Sequence, residues 1–120
     1  MAKKFKPTAG TKVTKKEAMT WIAKYDKEMR SDKNKDTKSL FFGRDALLRM
    51  LSEDGSSGIT FFLALKYNEI FKKETVHLVL VPTKEDGELI WPEDSRLAKS
   101  AEGTAAAYDS GIPCPPYCPK

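Results

Sequence analysis

Apolar residues recur along this chain in two different periods, and the change of period divides it. Ala18, Trp21, Ile22, Tyr25 and Met29 fall three and four positions apart, the spacing of one helical face, with Lys16, Lys24, Lys27 and Glu28 on the other side. Thr14, followed three residues later by Glu17, predicts a capping box, and Val13 just outside it can pack on Ala18. One turn apart on such a face, Trp21 and Tyr25 read as core side chains rather than as a ligand-stacking pair. Residues 31–39 carry no apolar side chain and predict a loop, after which Leu40, Phe41 and Phe42 anchor the chain. Gly43 to Leu51 predicts a second, shorter helix. Its stripe is Leu47, Leu48 and Leu51, with Ala46 and Met50 at the edges, and the glycine- and serine-rich run 53–58 ends it.

From Ile59 the period falls to two. Ile59, Phe61, Leu63, Leu65 and Tyr67 alternate with Thr60, Phe62, Ala64 and Lys66, which predicts a strand over Ile59 to Tyr67. A polar connection containing Ile70-Phe71 leads to a second strand, Thr75 to Val81, with Val76, Leu78 and Leu80 facing one way and Thr75, His77, Val79 and Val81 the other. Pro82 ends its regular pairing, and Asp86-Gly87 predicts a tight turn into a short third strand, Glu88 to Trp91. The expected fold class is α+β: two N-terminal helices packed on one face of an antiparallel sheet of about three strands, followed by a proline-rich C-terminal tail. The second sheet face then needs a cover, either the alanine-rich segment Leu97 to Ala107 or a second copy of the chain, which makes a homo-oligomer an expectation. The domain reading is a flexible basic arm over 1–12, one α+β domain over 13–107 and a Pro/Cys-rich tail over 108–120.

Composition narrows the classes. The 120 residues carry a formal net charge of +4, and the excess lies in the first half: residues 1–58 hold 14 Lys and Arg against 8 Asp and Glu. The lysines of 24–28 and 32–38 alternate with acids instead of forming a patch, and Gly58 to Leu63 lacks the aromatic strand motif of an RNA-recognition sheet, so nucleic acid is not the expected partner. No run approaches the roughly 20 apolar residues of a membrane span, and Pro7, Thr8 and Gly10 stand where a signal peptide would be hydrophobic. No membrane partner and a cytoplasmic location are the expectations.

Candidate chemistry is sparse. Gly55 to Gly58 follows a helix and lacks the Lys-Ser or Lys-Thr of a phosphate loop. Glu85, Asp86 and Glu88 lack the ligand spacing of a calcium loop and read as a solvated hairpin. His77, on a strand among hydrophobic positions, reads as a hydrogen-bonded structural histidine before a catalytic base. The most unusual local feature is Cys114-Pro115-Pro116-Tyr117-Cys118. Its three intervening residues, two of them proline, differ from a thioredoxin-like pair, and two cysteines with His77 fall short of four zinc ligands. Free thiols, a local or intersubunit disulfide, a shared metal and a redox pair all stay open for Cys114 and Cys118. No catalytic residue, cofactor or metal site is assigned; His77, Cys114, Tyr117 and Cys118 are the residues singled out for function or assembly.

The helix after Thr14, Phe41-Phe42-Gly43-Arg44, Gly58-Ile59, Leu78-Val79-Leu80-Val81 and the terminal Cys-Pro-Pro-Tyr-Cys together resemble a group of small bacterial proteins without an assigned activity, best known from Bacteroidetes. The resemblance covers most of residues 13–118 and implies no catalytic residue. The favoured function is a cytoplasmic interaction or structural module, self-associating through its sheet and presenting its tail to an unknown protein partner. A small-molecule or thiol-dependent enzyme using His77, Cys114 or Cys118 is the alternative, and a basic nucleic-acid-binding module the third.

Overall fold

A computed structural model describes residues 4–91 and 107–120. Helix α1 spans Lys15–Met29, and its capping box forms as the sequence predicts. Thr14 Oγ1 accepts the Glu17 amide proton at 3.1 Å, and the Thr14 amide donates back to Glu17 Oε1 at 3.3 Å. Strand β1, Ser39–Phe41, leads to helix α2, Arg44–Leu51. The long strands β2, Ser56–Asn68, and β3, Lys73–Lys84, follow, and β4, Ile112–Cys114, lies in the tail.

The centre of the molecule is the β2–β3 hairpin, antiparallel from Ile59 opposite Pro82 to Asn68 opposite Lys73. Asn68 makes the reversal. Its Oδ1 accepts the amides of Ile70 and Phe71 at 2.9 and 3.2 Å, while its carbonyl accepts the Lys72 amide at 2.8 Å. Directly opposed residues share a face. Ile59, Phe61, Leu63 and Leu65 therefore lie with Pro82, Leu80, Leu78 and Val76, and Phe62, Ala64 and Lys66 with Val79, His77 and Thr75. Helix α2 packs against both strands and supplies Met50, which is fully buried together with Leu80, Val81 and Pro82.

Two expectations need correction. The sheet is not one three-stranded unit: there are two two-stranded antiparallel sheets, β2–β3 and β1–β4. Glu88 to Trp91 does not become a third strand. It meets β3 at one bridge, Thr83 opposite Leu89, with the Lys84 amide on the Glu88 carbonyl and the Ile90 amide on the Pro82 carbonyl. A segment of four residues, opposite a proline that cannot donate and followed by Pro92, has too few donors for a ladder. Conversely the proline-rich tail does form a strand, with Leu40 opposite Pro113 and the Lys38 amide donating to the Cys114 carbonyl at 2.7 Å, because proline at an edge need only accept. The segment Leu97 to Ala107, read as a cover for the sheet, lies outside the described residues except for Ala107.

The second correction concerns α1. No residue of this helix is buried, and Trp21 is 58% and Met29 68% exposed, so its apolar stripe is not a core face. Arg30, which is buried, ties the end of the helix to the following loop instead: Nε donates to the Asp36 carbonyl at 2.8 Å, an Nη to the Lys33 carbonyl at 2.7 Å, and the other Nη pairs with Asp26. At the other end of the hairpin, Phe5 donates its amide to the Glu85 carbonyl at 2.7 Å and lays its ring on Gly87, whose φ of 93° and lack of a side chain admit it. Among the described residues no helix is long and apolar enough to cross a membrane.

Met50 and Met29 occupy opposite extremes of burial in helical positions. Met50→Ala should lower unfolding stability by roughly 2–5 kcal/mol, whereas Met29→Ala should change it by about 0.5 kcal/mol or less. Urea titration of the two variants checks this contrast.

Candidate functional site

Three places hold the residues that sequence reasoning singled out or the fold exposes: the buried His77, the disulfide-closed tail, and an apolar trough between α1 and the hairpin.

His77 is buried on the hairpin face opposite the trough, beside Ala64 of β2. Its Nδ1 lies 3.1 Å from the Thr75 carbonyl oxygen, and because a carbonyl can only accept, that nitrogen is the donor. Thr75 Oγ1 stands 3.5 Å from the same nitrogen and 3.5 Å from the Asn68 side-chain amide. The histidine is thus part of a short polar row running down the buried side of the hairpin toward its turn.

Cys114 and Cys118 are bonded to each other, with Cα atoms 4.6 Å apart. Cys114 is buried by its pairing opposite Ser39, while Cys118 and Tyr117 face solvent. The Cys114–Pro115 and Pro115–Pro116 peptide bonds are cis, and the Tyr117 amide closes the loop on the Pro113 carbonyl at 2.9 Å. Upstream, Gly111 is pressed against the Phe42 ring so closely that a Cβ would lie 2.5 Å from Cε1. Lys66 reaches from β2 to Asp109 at 2.7 Å. The tail is therefore built into the fold along β1 and β3, with a side-chain tie to β2 through Lys66, and Tyr117 stands at its exposed tip. Neither His77 nor either cysteine lines the trough. Among the described residues no group of three or more His, Cys, Asp and Glu side chains is placed to hold a metal ion.

The trough has a volume of about 380 Å³. Trp21, Ile22 and Tyr25 form its helical wall, Leu63, Val76 and Leu78 its floor, and Thr37 to Leu40 its end. That end is held in place from below: Thr37 Oγ1 donates to the Val76 carbonyl at 2.7 Å, and the Lys38 amide bonds to Cys114 as described. The floor continues along β2 into Phe61, Leu65 and Tyr67 on the same face; Leu63 is 80% and Leu65 67% exposed. Periodicity locates all of these residues, but it assigns them to a core. What sequence reasoning missed is the open side of the trough.

Three carboxylates fix the surrounding loops, and each is held below its ordinary pKa of 3.8. The Arg30 hydrogen bond lowers Asp26, the Asp32 amide followed by Lys73 lowers Asp36, and the Lys66 hydrogen bond lowers Asp109. No family model matches the chain, and no curated protein and no solved structure matches it either.

A carboxylate with a depressed folded-state pKa contributes stability above its unfolded value and loses that contribution as pH falls through the folded value. Stability should therefore decline below pH 3.8, and Asp36→Asn, which removes the negative charge and leaves one acceptor oxygen where the Asp32 amide and Lys73 now use two, should lower stability near neutral pH and flatten the acid decline. Denaturant titrations across this range give the comparison. For the tail, a five-residue loop is worth about 2 kcal/mol in chain entropy. Cys118→Ser should cost no more than that and should speed hydrogen exchange at the Lys38 amide, which depends on Cys114 staying in place.

Proposed function

We propose that this protein is a small protein-interaction module whose working surface is the apolar trough and the β2 face that continues it. One observation carries the reading: an amphipathic helix and a long strand turn their apolar faces toward the same open space. A contiguous exposed surface of this kind rimmed by polar groups marks a recognition site. Its aromatic and leucine side chains suit a buried contact centre, with Lys38 and Ser39 at the rim.

The other two function classes draw less support from the geometry. A thiol- or histidine-dependent enzyme would need its groups beside a cavity, whereas the two sulfurs are joined and His77 points away from the trough. A nucleic-acid module would need a basic face, and the open face is apolar. The likeness to small bacterial proteins from Bacteroidetes, and a cytoplasmic site of action, belong to this proposal and add no activity to it.

A photo-reactive amino acid at position 63 should give a covalent adduct of discrete mass in cells producing the protein, and one at the exposed position 69 should not. Equal yields at both positions, or no adduct from position 63, would overturn the reading.

A further inference from the structure

The two edges of the hairpin are treated differently. The outer edge of β3 is occupied: Tyr108 exchanges both backbone hydrogen bonds with Leu80 at 2.8 and 2.9 Å, the Ile90 amide and Thr37 Oγ1 bond to the Pro82 and Val76 carbonyls, and the Lys84 amide bonds to Glu88. The outer edge of β2 is not. This 13-residue strand pairs with β3 alone, and among the described residues no other backbone bonds to it between Gly58 and Tyr67. Ile59 to Leu65 contains no charged residue, no proline and no glycine, the devices that ordinarily keep an open edge from pairing.

From this asymmetry we infer that a second copy of the chain joins antiparallel through the β2 edge that borders the working surface, giving the strand order β3-β2-β2′-β3′ and one surface shared by the two copies. The inference rests on the interaction-module reading and names its partner. Four observations commit it to this occupant. Segments 1–3 and 92–106 bring Met1 and Leu97 as their large apolar side chains, less apolar volume than Phe61, Leu63, Leu65 and Tyr67 expose. Phe61, Leu63, Leu65 and Tyr67, which share one face, are 51–80% exposed. At roughly 150–250 Å² for an aromatic side chain these four expose on the order of 450 Å² per copy, and joining the two backbone edges would take their flanks out of water as part of an interface that in standard cases buries about 800 Å² per partner.

Symmetry supplies the third argument. Centring the uncharged run 59–65 on itself sets Phe62 opposite Phe62 of the partner subunit and Phe61 beside the partner's Leu63, while Lys66 of each copy falls opposite the partner's Gly58 and not opposite a like charge. Both copies then turn the same sheet face to the same side, so the two α1 helices flank one continuous apolar floor. The fourth argument is closure. Because β3 is already covered on its outer edge, pairing stops at two copies and forms a closed two-fold dimer instead of a growing sheet.

Sedimentation of the full chain over a dilution series tests the inference. The expected result is a species of twice the 13.5 kDa chain mass that dissociates on dilution. Backbone amides within 59–65 should become faster in hydrogen exchange as it does so. Leu63→Lys, at a position already open to water in the single chain, should raise the dissociation constant about tenfold or more while leaving the circular dichroism spectrum unchanged. A chain that is monomeric at every concentration overturns the second-copy inference. If position 63 still gives a discrete photo-adduct of another mass, the interaction-module reading survives that loss; with no adduct, both fall. A dimer that Leu63→Lys does not weaken, with no concentration-dependent exchange in β2, overturns the assignment of the edge. If Leu63→Lys unfolds the chain, the exchange measurement on the unsubstituted protein decides alone.

Discussion

The antiparallel register of β2 against β3 is the constraint from which the rest of the structure follows. It sets which apolar residues share a face, and along one such face Leu80 and Pro82 are buried while Leu63 and Leu65 stay in view. A slip by one residue would exchange the two faces of the hairpin, placing His77 and Thr75 where Leu78 and Val76 now lie. The Asn68 turn and the polar row of Asn68, Thr75 and His77 resist that slip, because each needs its partner at the present offset. Everything else attaches to this frame: α2 through Met50, the tail through Tyr108 and Asp109, and the loop after α1 through Thr37 and Lys73.

How far the sequence reveals this arrangement depends on the kind of information each element carries. The helices and the two long strands announce themselves, because periods of 3.6 and 2 survive over eight or more residues, and the Thr14 cap is a purely local motif. The short strands do not. β1 and β4 pair across more than seventy residues of chain with three residues each, and neither Leu40 nor Pro113 has a neighbour pattern that points to the other. Prolines in the tail weigh against any ladder until it is known that only their carbonyls are asked to participate. Arg30 is illegible for a similar reason: its targets are the backbone carbonyls of Lys33 and Asp36, which no side-chain identity reveals.

Of the candidate site, the residues were legible and their exposure was not. Amphipathicity states that a face prefers to be covered and is silent on what covers it, so Trp21 and Tyr25 read as core although they stand 58% and 42% exposed. The terminal cysteines show the reverse situation. Their spacing leaves several chemistries open, and a bond between them emerges once β4 is laid along β1, fixing Cys114 while the turn at Tyr117 brings Cys118 back to it.

The attachment of α1 has a further meaning. A helix tied at its C-terminal end by the Arg30 guanidinium and the Lys33 ammonium, with no buried residue of its own, contributes little side-chain volume to the interior. Its outward positions are consequently released from the steric discipline that governs Met50 or Val81. Mutational drift can repaint that helix, altering the chain's choice of company, without passing through sequences that no longer fold.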